Sequence, residues 1–523
     1  MQISKHEFEN YFPIVKIFDL DSALYAYDGK SGMLAEVTLE EIDQIYNYLF
    51  YSKNTPIASY LKDLLDDGVF LPGPFERITP NHDEIDDIIS SQLERIIPKT
   101  LILEITERCN LNCKYCLFAK EDGFNKRKHA QQNISEATAY KAIDYYYSKY
   151  INAIKKVPLE NRTAVIRQNK PSLQWWGGEP FTAFDLILKT KLYFESLDWE
   201  LHGVSKKDII YALTSNLTIF NNDILNFIVQ NNVILRVSLD GDEKSHNKNR
   251  VFSDGKGSFN ITLKNLNMII NKYPNYAKNC VGIQSVLADN IDVLGAQEFI
   301  DKYFNLNTSS NKLITCTVSP QRKKNAFLSE FEFTQGSIQE IILSFKDTLN
   351  KIIVNSPEEI KKLLIYNKKL YAELRKIIST EDFLVLNSPK GSNIISGTFS
   401  CPLAADTVFI SVSGYFHCCA KTDYSFPFGH IKTGINKEIL KNIYISYHSK
   451  IEKQCKNCWA LRFCKICPAV VCNENLFLLP QKKECEQIRK NVSLQLSQYI
   501  VLTEKYKHLY SQIKSYNKGF SNY

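Results

Sequence analysis

Eight residues, Cys109-Asn-Leu-Asn-Cys113-Lys-Tyr-Cys116, carry three thiols separated by three residues and then two. An apolar run, 100–105, stands directly before them; rich in Leu and Ile and bounded by Pro98, it predicts a buried β-strand. The thiols therefore fall on a loop at the carboxyl end of a strand, where α/β barrels place their chemistry. Iron–sulfur clusters are held by cysteine thiolates, normally four of them. Three thiolates on a four-iron cluster would leave one iron open to a small molecule. The competing reading is a three-thiolate zinc site that borrows a distant ligand.

The rest of the composition narrows the class. A chain of 523 residues with 44% apolar and 23% charged residues can bury several cores, so disorder is not expected. The net charge of +7 is small for this length, and its lysines are scattered over helical stretches, so no nucleic-acid partner is expected. No run of about eighteen apolar residues is present, so no membrane partner is expected. The amino terminus, MQISKHEFEN, lacks a signal-peptide core, which points to a cytoplasmic protein. Fourteen cysteines in such a chain do not read as a disulfide framework. Nine lie between Cys401 and Cys485, which favours metal; Cys280 and Cys316 fall in strand-like runs and are expected to pack in the core.

Taken in order, residues 1–97 read as a separate small α+β module. Strands are expected at 15–20 and 22–27, with Asp28-Gly29 as a turn, and Thr38-Leu-Glu-Glu41 has the form of a helix capping box. A second helix at 57–67 ends at Gly68, and 69–71 reads as a closing strand. From 98 to 330, strands at 100–105, 172–176, 208–214, 233–238, 280–287 and 313–318 alternate with helical patterns at 135–150, 183–196, 223–229, 259–272 and 293–304. That alternation predicts a parallel α/β sheet with right-handed crossovers. Residues 151–170, with Pro158, read as an insertion loop. Helical patterns at 335–354 and 357–378 make 331–397 a helical bridge. Residues 398–490 are cysteine-rich, and a helical pattern at 487–514 fills most of 491–523.

The barrel motifs resemble those of the radical S-adenosylmethionine (SAM) enzymes. Cys109, Cys113 and Cys116 match the cluster triad, and Tyr115 matches the aromatic that packs near the adenine. Trp175-Trp-Gly177-Gly178-Glu179-Pro180 resembles the motif that receives the SAM amino group; glycines admit close approach and a carboxylate accepts an ammonium's hydrogen bonds. Thr214-Ser215-Asn216 stands where the family meets ribose or the methionine carboxylate, although these side chains could instead cap the following helix. Ser238, within Arg236-Val-Ser-Leu-Asp-Gly241, and Arg250, after His246, match further SAM contacts, Arg250 because a fork of donors suits a carboxylate. Asp240-Gly241 reads equally well as a turn. The resemblance implies a partial (β/α)6 TIM-like barrel, one SAM-binding 4Fe-4S cluster, and reductive cleavage of SAM to a 5′-deoxyadenosyl radical.

The carboxy-terminal cysteines resemble a SPASM domain, a tail with up to two auxiliary clusters. The family scheme implies that Cys455, Cys458, Cys464 and Cys485 hold an outer cluster, and Cys401, Cys419 and Cys467 an inner one. The spacing departs from the family pattern after Cys464, which leaves Cys472 as an alternative to Cys467 and Cys418 as an alternative to Cys419. Structural zinc is the competing reading of these pairs. The amino-terminal module is similar to winged-helix elements that bind leader peptides, which makes a precursor peptide the expected partner, docking by strand addition; a structural cap on the barrel is the alternative. An electron donor such as flavodoxin or ferredoxin is also implied. Together these resemblances point to a peptide maturase forming a thioether or carbon–carbon cross-link. The alternatives are an anaerobic sulfatase-maturating enzyme, against which Ala420 stands after Cys419, and a non-catalytic peptide-binding protein.

Overall fold

The computed structural model describes residues 3–116, 130–286, 338–353, 405–420, 426–464 and 482–521, with isolated residues and short stretches between them. Cys316, Cys401, Cys467 and the expected helix at 293–304 lie outside the described residues, as does most of the helical pattern at 357–378.

The central sheet has eight strands in the order β11-β10-β4-β5-β6-β7-β8-β9. Six of them are the expected barrel strands, all parallel: β4 Thr100–Thr106, β5 Ser172–Gly177, β6 Ile210–Ser215, β7 Ile234–Ser238, β8 Val281–Ser285 and β9 Ile314–Thr315. Helices Glu136–Lys155, Phe184–Ser196, Asn222–Gln230 and Phe259–Lys272 cover them. The outward residues of the strands, such as Leu101, Leu103, Trp175, Leu213 and Leu235, are fully buried beneath those helices. Trp175 is packed without loss of its hydrogen bond, because its Nε1–H donates to Thr190 Oγ1 at 2.9 Å.

Two strands of the sheet come from the cysteine-rich segment. β10, Thr407–Ile410, runs parallel to β4 with Thr407 opposite Thr100 and Ile410 opposite Leu103, and β11, Phe416–His417, pairs antiparallel to β10. The sheet therefore has eight strands rather than six, and the edge that β4 would present is paired.

Two other expectations are corrected. Residues 151–170 are not a loop: one helix continues to Lys155, and Leu159–Gln168 forms the next, with Pro158 at its amino-terminal cap, where a missing N–H costs nothing. Cys280 does not start a strand; it ends the helix Pro274–Cys280, and β8 begins at Val281. The expected terminal helix is also interrupted: Lys482–Ile500 leads into a π-turn at Val501–Lys505 before Lys507–Ser521. No described helix is long and apolar enough to cross a membrane.

At the amino terminus, β1 Val15–Leu20, β2 Ala23–Asp28 and β3 Leu34–Val37 form an antiparallel sheet with β2 central. The capping box at Thr38 forms as read, with the Glu41 N–H donating to Thr38 Oγ1 and the Thr38 N–H donating to the Glu41 carboxylate. Residues 69–71 do not close the sheet. Phe70 takes a left-handed φ of 56° and its N–H donates to the buried Asp28 carboxylate at 3.0 Å, so the segment turns instead of extending. One face of this sheet packs on helices Lys5–Tyr11, Leu39–Phe50 and Ser59–Asp66 through Val15, Ile17, Ala26 and Val37. The other face, Phe18, Leu20, Tyr25 and Tyr27, shares a core with Trp459, Phe463, Leu496 and Ile500. The sheet is thus buried on both sides.

Candidate functional site

β4 ends at Thr106, and the cysteine loop leaves it between two other loops. On one side the Gly178 N–H donates to Thr106 O (3.0 Å) and the Glu179 N–H to Arg108 O (2.8 Å). On the other, the Asn112 N–H donates to Val251 O (2.7 Å) and the Lys114 N–H to Asn249 O (3.0 Å). The motifs after β4, β5 and β7 are in this way tied backbone to backbone. Gly177 and Gly178 make the first contact possible: a Cβ would sit 2.0 Å from Thr106 O at Gly177, whose φ is 152°, and 2.3 Å from Arg108 O at Gly178. Here the glycines let two strand ends meet.

Glu179 is buried and accepts from Ser215 Oγ (2.8 Å), the Asn216 N–H (2.8 Å) and the Phe181 N–H (3.2 Å). Burial pushes its carboxyl up to about 7, and these three donors only partly oppose the shift. Asn216 Nδ2 donates to Asn110 Oδ1 (3.0 Å), and Asn110 Nδ2 donates to Thr218 Oγ1 (2.7 Å). Ser215 and Asn216 therefore brace Glu179 and the cysteine loop. They do not cap the following helix, which takes Asn221 as its cap.

Arg250 meets a carboxylate of the protein itself. Its Nε and Nη2 donate to Asp240 Oδ2 and Oδ1 at 2.9 and 3.1 Å, and both residues are buried. Asp240 also accepts from Tyr115 Oη and, at 2.8 Å, from the Val286 N–H. The Tyr115 ring lies 5.3 Å from the Arg250 guanidinium. His246 is buried beside them, accepts weakly from the Asp240 N–H through Nδ1, and pairs Nε2 with Ser258 Oγ at 3.0 Å. Burial, seconded by the Arg250 charge, lowers its pKa to about 3, so the ring is neutral. Asp240 is the residue the sequence reading passed over as a turn. Its signal was present, an Asp ten residues before an Arg on one β–α connection, but a turn explains Asp-Gly equally well. Ser238 is buried at the end of β7, opposite Gln284 on β8.

Burial also raises the thiols. Cys113 is pushed up to about 12 and Cys109 higher still, with the Glu179 charge and the two neighbouring thiols adding to the effect on Cys109. Such thiols deprotonate only against a bound cation, as a metal cluster provides. In the carboxy-terminal segment, Cys455, Cys458, Cys464 and Cys485 line one cavity of about 480 Å3, walled by Ile451, Leu461 and Leu479. Among the described residues, no three Cys, His, Asp or Glu side chains converge on one metal-sized point. The donor chemistry fits iron–sulfur clusters, whose ligands are soft cysteine sulfurs such as these half-buried ones. Cys418 and Cys419 follow β11, half-buried, and Cys472 opens a short strand.

Three thiols thus stand at the carboxyl-terminal mouth of a parallel α/β sheet, beside a buried carboxylate and an internal ion pair. Residues 103–292 match the radical SAM superfamily, so the chain carries a radical SAM domain. Over 306 residues the chain is 25% identical to the radical SAM cyclopropyl synthase TigE of Paramaledivibacter caminithermalis, covering 56% of each. Over 174 residues it is 25% identical to a cysteine-type anaerobic sulfatase-maturating enzyme of Clostridium novyi, covering 33% of this chain and 40% of that one. The chain spans about half the length of the curated relatives it matches. Among solved structures, native anSMEcpe with bound AdoMet aligns with a TM-score of 0.49 at 16% identity, covering 77% of this chain and 99% of that one.

Proposed function

We propose that this enzyme is a radical SAM peptide maturase that cross-links a ribosomally made precursor, with a thioether as the leading product and a carbon–carbon bond as the alternative. The observation that carries the peptide reading is the amino-terminal sheet. The outer edge of β1 is occupied, because the Ile17 N–H donates to Glu9 Oε1 at 2.9 Å. β3 is the other edge strand and pairs only with β2 among the described residues. An extended peptide added to β3 would gain main-chain hydrogen bonds there.

When bound, the cluster and SAM would supply radical chemistry for hydrogen abstraction from the substrate. In this reading Cys109, Cys113 and Cys116 would hold the cluster. Glu179 accepts the SAM ammonium; Ser215 and the Asn216 backbone hold its carboxylate in place. Ser238 lies on the same rim. Arg250 shares its charge with Asp240, which accepts from the Tyr115 hydroxyl and so holds a ring that would pack at the adenine. Cys455, Cys458, Cys464 and Cys485 hold an outer cluster, and Cys401, Cys419 and Cys467 an inner one.

The sulfatase-maturating alternative keeps the support of the Clostridium novyi relative. Against it, the residue after Cys419 is the buried Ala420, which offers no base. The non-catalytic alternative leaves the braced Glu179 and the half-buried thiols without a role. Anaerobic reconstitution tests the reading: about twelve iron per chain is expected for three four-iron clusters. With SAM and a reductant the protein should release 5′-deoxyadenosine, and a co-expressed precursor should lose two hydrogens. Failure to form 5′-deoxyadenosine would overturn every enzymatic version, and an unchanged peptide mass would overturn the cross-link.

A further inference from the structure

We infer that Tyr27 is a positioning residue for the outer cysteine site, its hydroxyl donating a hydrogen bond to the Cys458 sulfur once that thiolate holds iron. The inference rests on the outer-cluster reading above and adds a residue from a part of the chain some four hundred positions away.

Tyr27 lies on β2, the central strand of the amino-terminal sheet, and is fully buried. Its hydroxyl is also buried and has no hydrogen-bond partner among the described residues. An orphaned buried donor is rare and points to a missing acceptor. The ring stands edge-on to Trp459 (6.4 Å) and Phe463 (5.7 Å), which adjoin Cys458 and Cys464 in sequence. Cys458 packs against the same cluster as Tyr27, Trp459 and Phe463, with Arg462 and Asp28 as charged neighbours.

Both charged neighbours are already engaged. Arg462 Nε donates to Gly29 O at 2.8 Å, and Nη2 donates to Lys30 O. The Asp28 carboxylate accepts from the Lys30 N–H (2.8 Å), the Phe70 N–H (3.0 Å) and Ser31 Oγ (2.9 Å). The Cys458 sulfur remains as the acceptor. The separation is held fixed from both sides: a Cβ on Gly29 would come within 2.5 Å of Trp459 O, so the β2–β3 turn lies directly against the cysteine segment. A neutral hydrogen bond to a cluster sulfur favours the reduced, more negative state and so raises the reduction potential. In this way the amino-terminal sheet sets the potential of the outer cluster.

The test uses full-length protein in which Cys109, Cys113 and Cys116 are replaced by Ala, reconstituted with iron and sulfide and titrated redox-wise by electron paramagnetic resonance. Tyr27→Phe should lower the midpoint potential of the outer cluster at unchanged iron content, whereas Tyr25→Phe, on the same face of β2, should not. Site-specific 3-fluorotyrosine at position 27 keeps the packing, strengthens the donor and should raise the potential, which keeps the test decisive if the Phe variant binds iron poorly. An unshifted potential in the fluorotyrosine protein overturns the hydrogen bond and leaves the cluster standing. If Cys455→Ala leaves the iron content unchanged, the outer cluster does not exist and the inference falls with it.

Discussion

Arg250 grips Asp240 with two nitrogens, Nε to Oδ2 at 2.9 Å and Nη2 to Oδ1 at 3.1 Å, in a pocket from which water is excluded. A buried pair of this kind contributes little net stability while intact, but breaking it leaves one charge without compensation. Asp240→Asn is expected to cost about 3–5 kcal/mol in denaturant unfolding. The double change Asp240→Leu with Arg250→Met removes both charges and should cost less than the single one. If the single substitution costs under about 1 kcal/mol, the two residues do not carry opposite buried charges.

Glu179 gives the apo protein a pH dependence of known sign. Its folded pKa, about 7, lies above the ordinary carboxyl value of 4.5, with burial the main cause. Between those values the folded state holds a proton that the unfolded state has released, so stability falls as pH rises through this window and levels off above it. The shift corresponds to about 3 kcal/mol. Wild-type protein should therefore lose stability between pH 5 and pH 8 relative to Glu179→Gln, which has no carboxyl to titrate there. Parallel stability curves for the two proteins would contradict a protonated, buried Glu179.

Much of this architecture is legible in the sequence because it is local. The run at 100–105 is apolar enough for a strand, and Thr38 with Glu41 states its own capping box. The three motifs at Cys109, Glu179 and Arg250 each end a strand, and parallel topology then gathers them at one mouth. What was missed is non-local or ambiguous in sign. β10 pairs with β4 across about three hundred residues of chain, and nothing in a four-residue run states its partner. Pro158 breaks a helix in mid-course but starts one at its first turn, and spacing alone does not decide between the two. Asp240 reads as a turn residue until its four donors are seen around it.

Gly178→Ala tests whether the join between strand ends holds the cysteine loop. The added Cβ would meet Arg108 O at 2.3 Å and Glu107 O at 2.8 Å, both backbone atoms that cannot rotate away. Overpacking of this type costs about 1–3 kcal/mol, and the upper end is expected here. The protein should still fold, since the barrel core beneath is untouched. Iron bound by the Cys109–Cys116 loop should fall, while the iron that depends on Cys455 stays. Equal retention at both places would show that the loop does not depend on this contact.

Arg462 offers a separate handle on how the amino-terminal sheet is attached. Its two donations, to Gly29 O and Lys30 O, hold the β2–β3 turn on the cysteine segment. Farther along, the Phe75 N–H donates to Lys456 O at 2.9 Å, and Thr79 Oγ1 donates to Glu452 Oε2 at 2.6 Å. Hydrogen bonds from a charged donor are worth about 1.5–3 kcal/mol together with its packing. Arg462→Ala should lower stability by about that amount and raise hydrogen exchange at residues 29–33 and 459–463, with the barrel strands unaffected. Arg462→Lys should recover only part of the protection, because an ammonium cannot reproduce a planar fork aimed at two carbonyls. Exchange that rises uniformly over the barrel as well would mean that Arg462 supports the whole fold rather than this one junction.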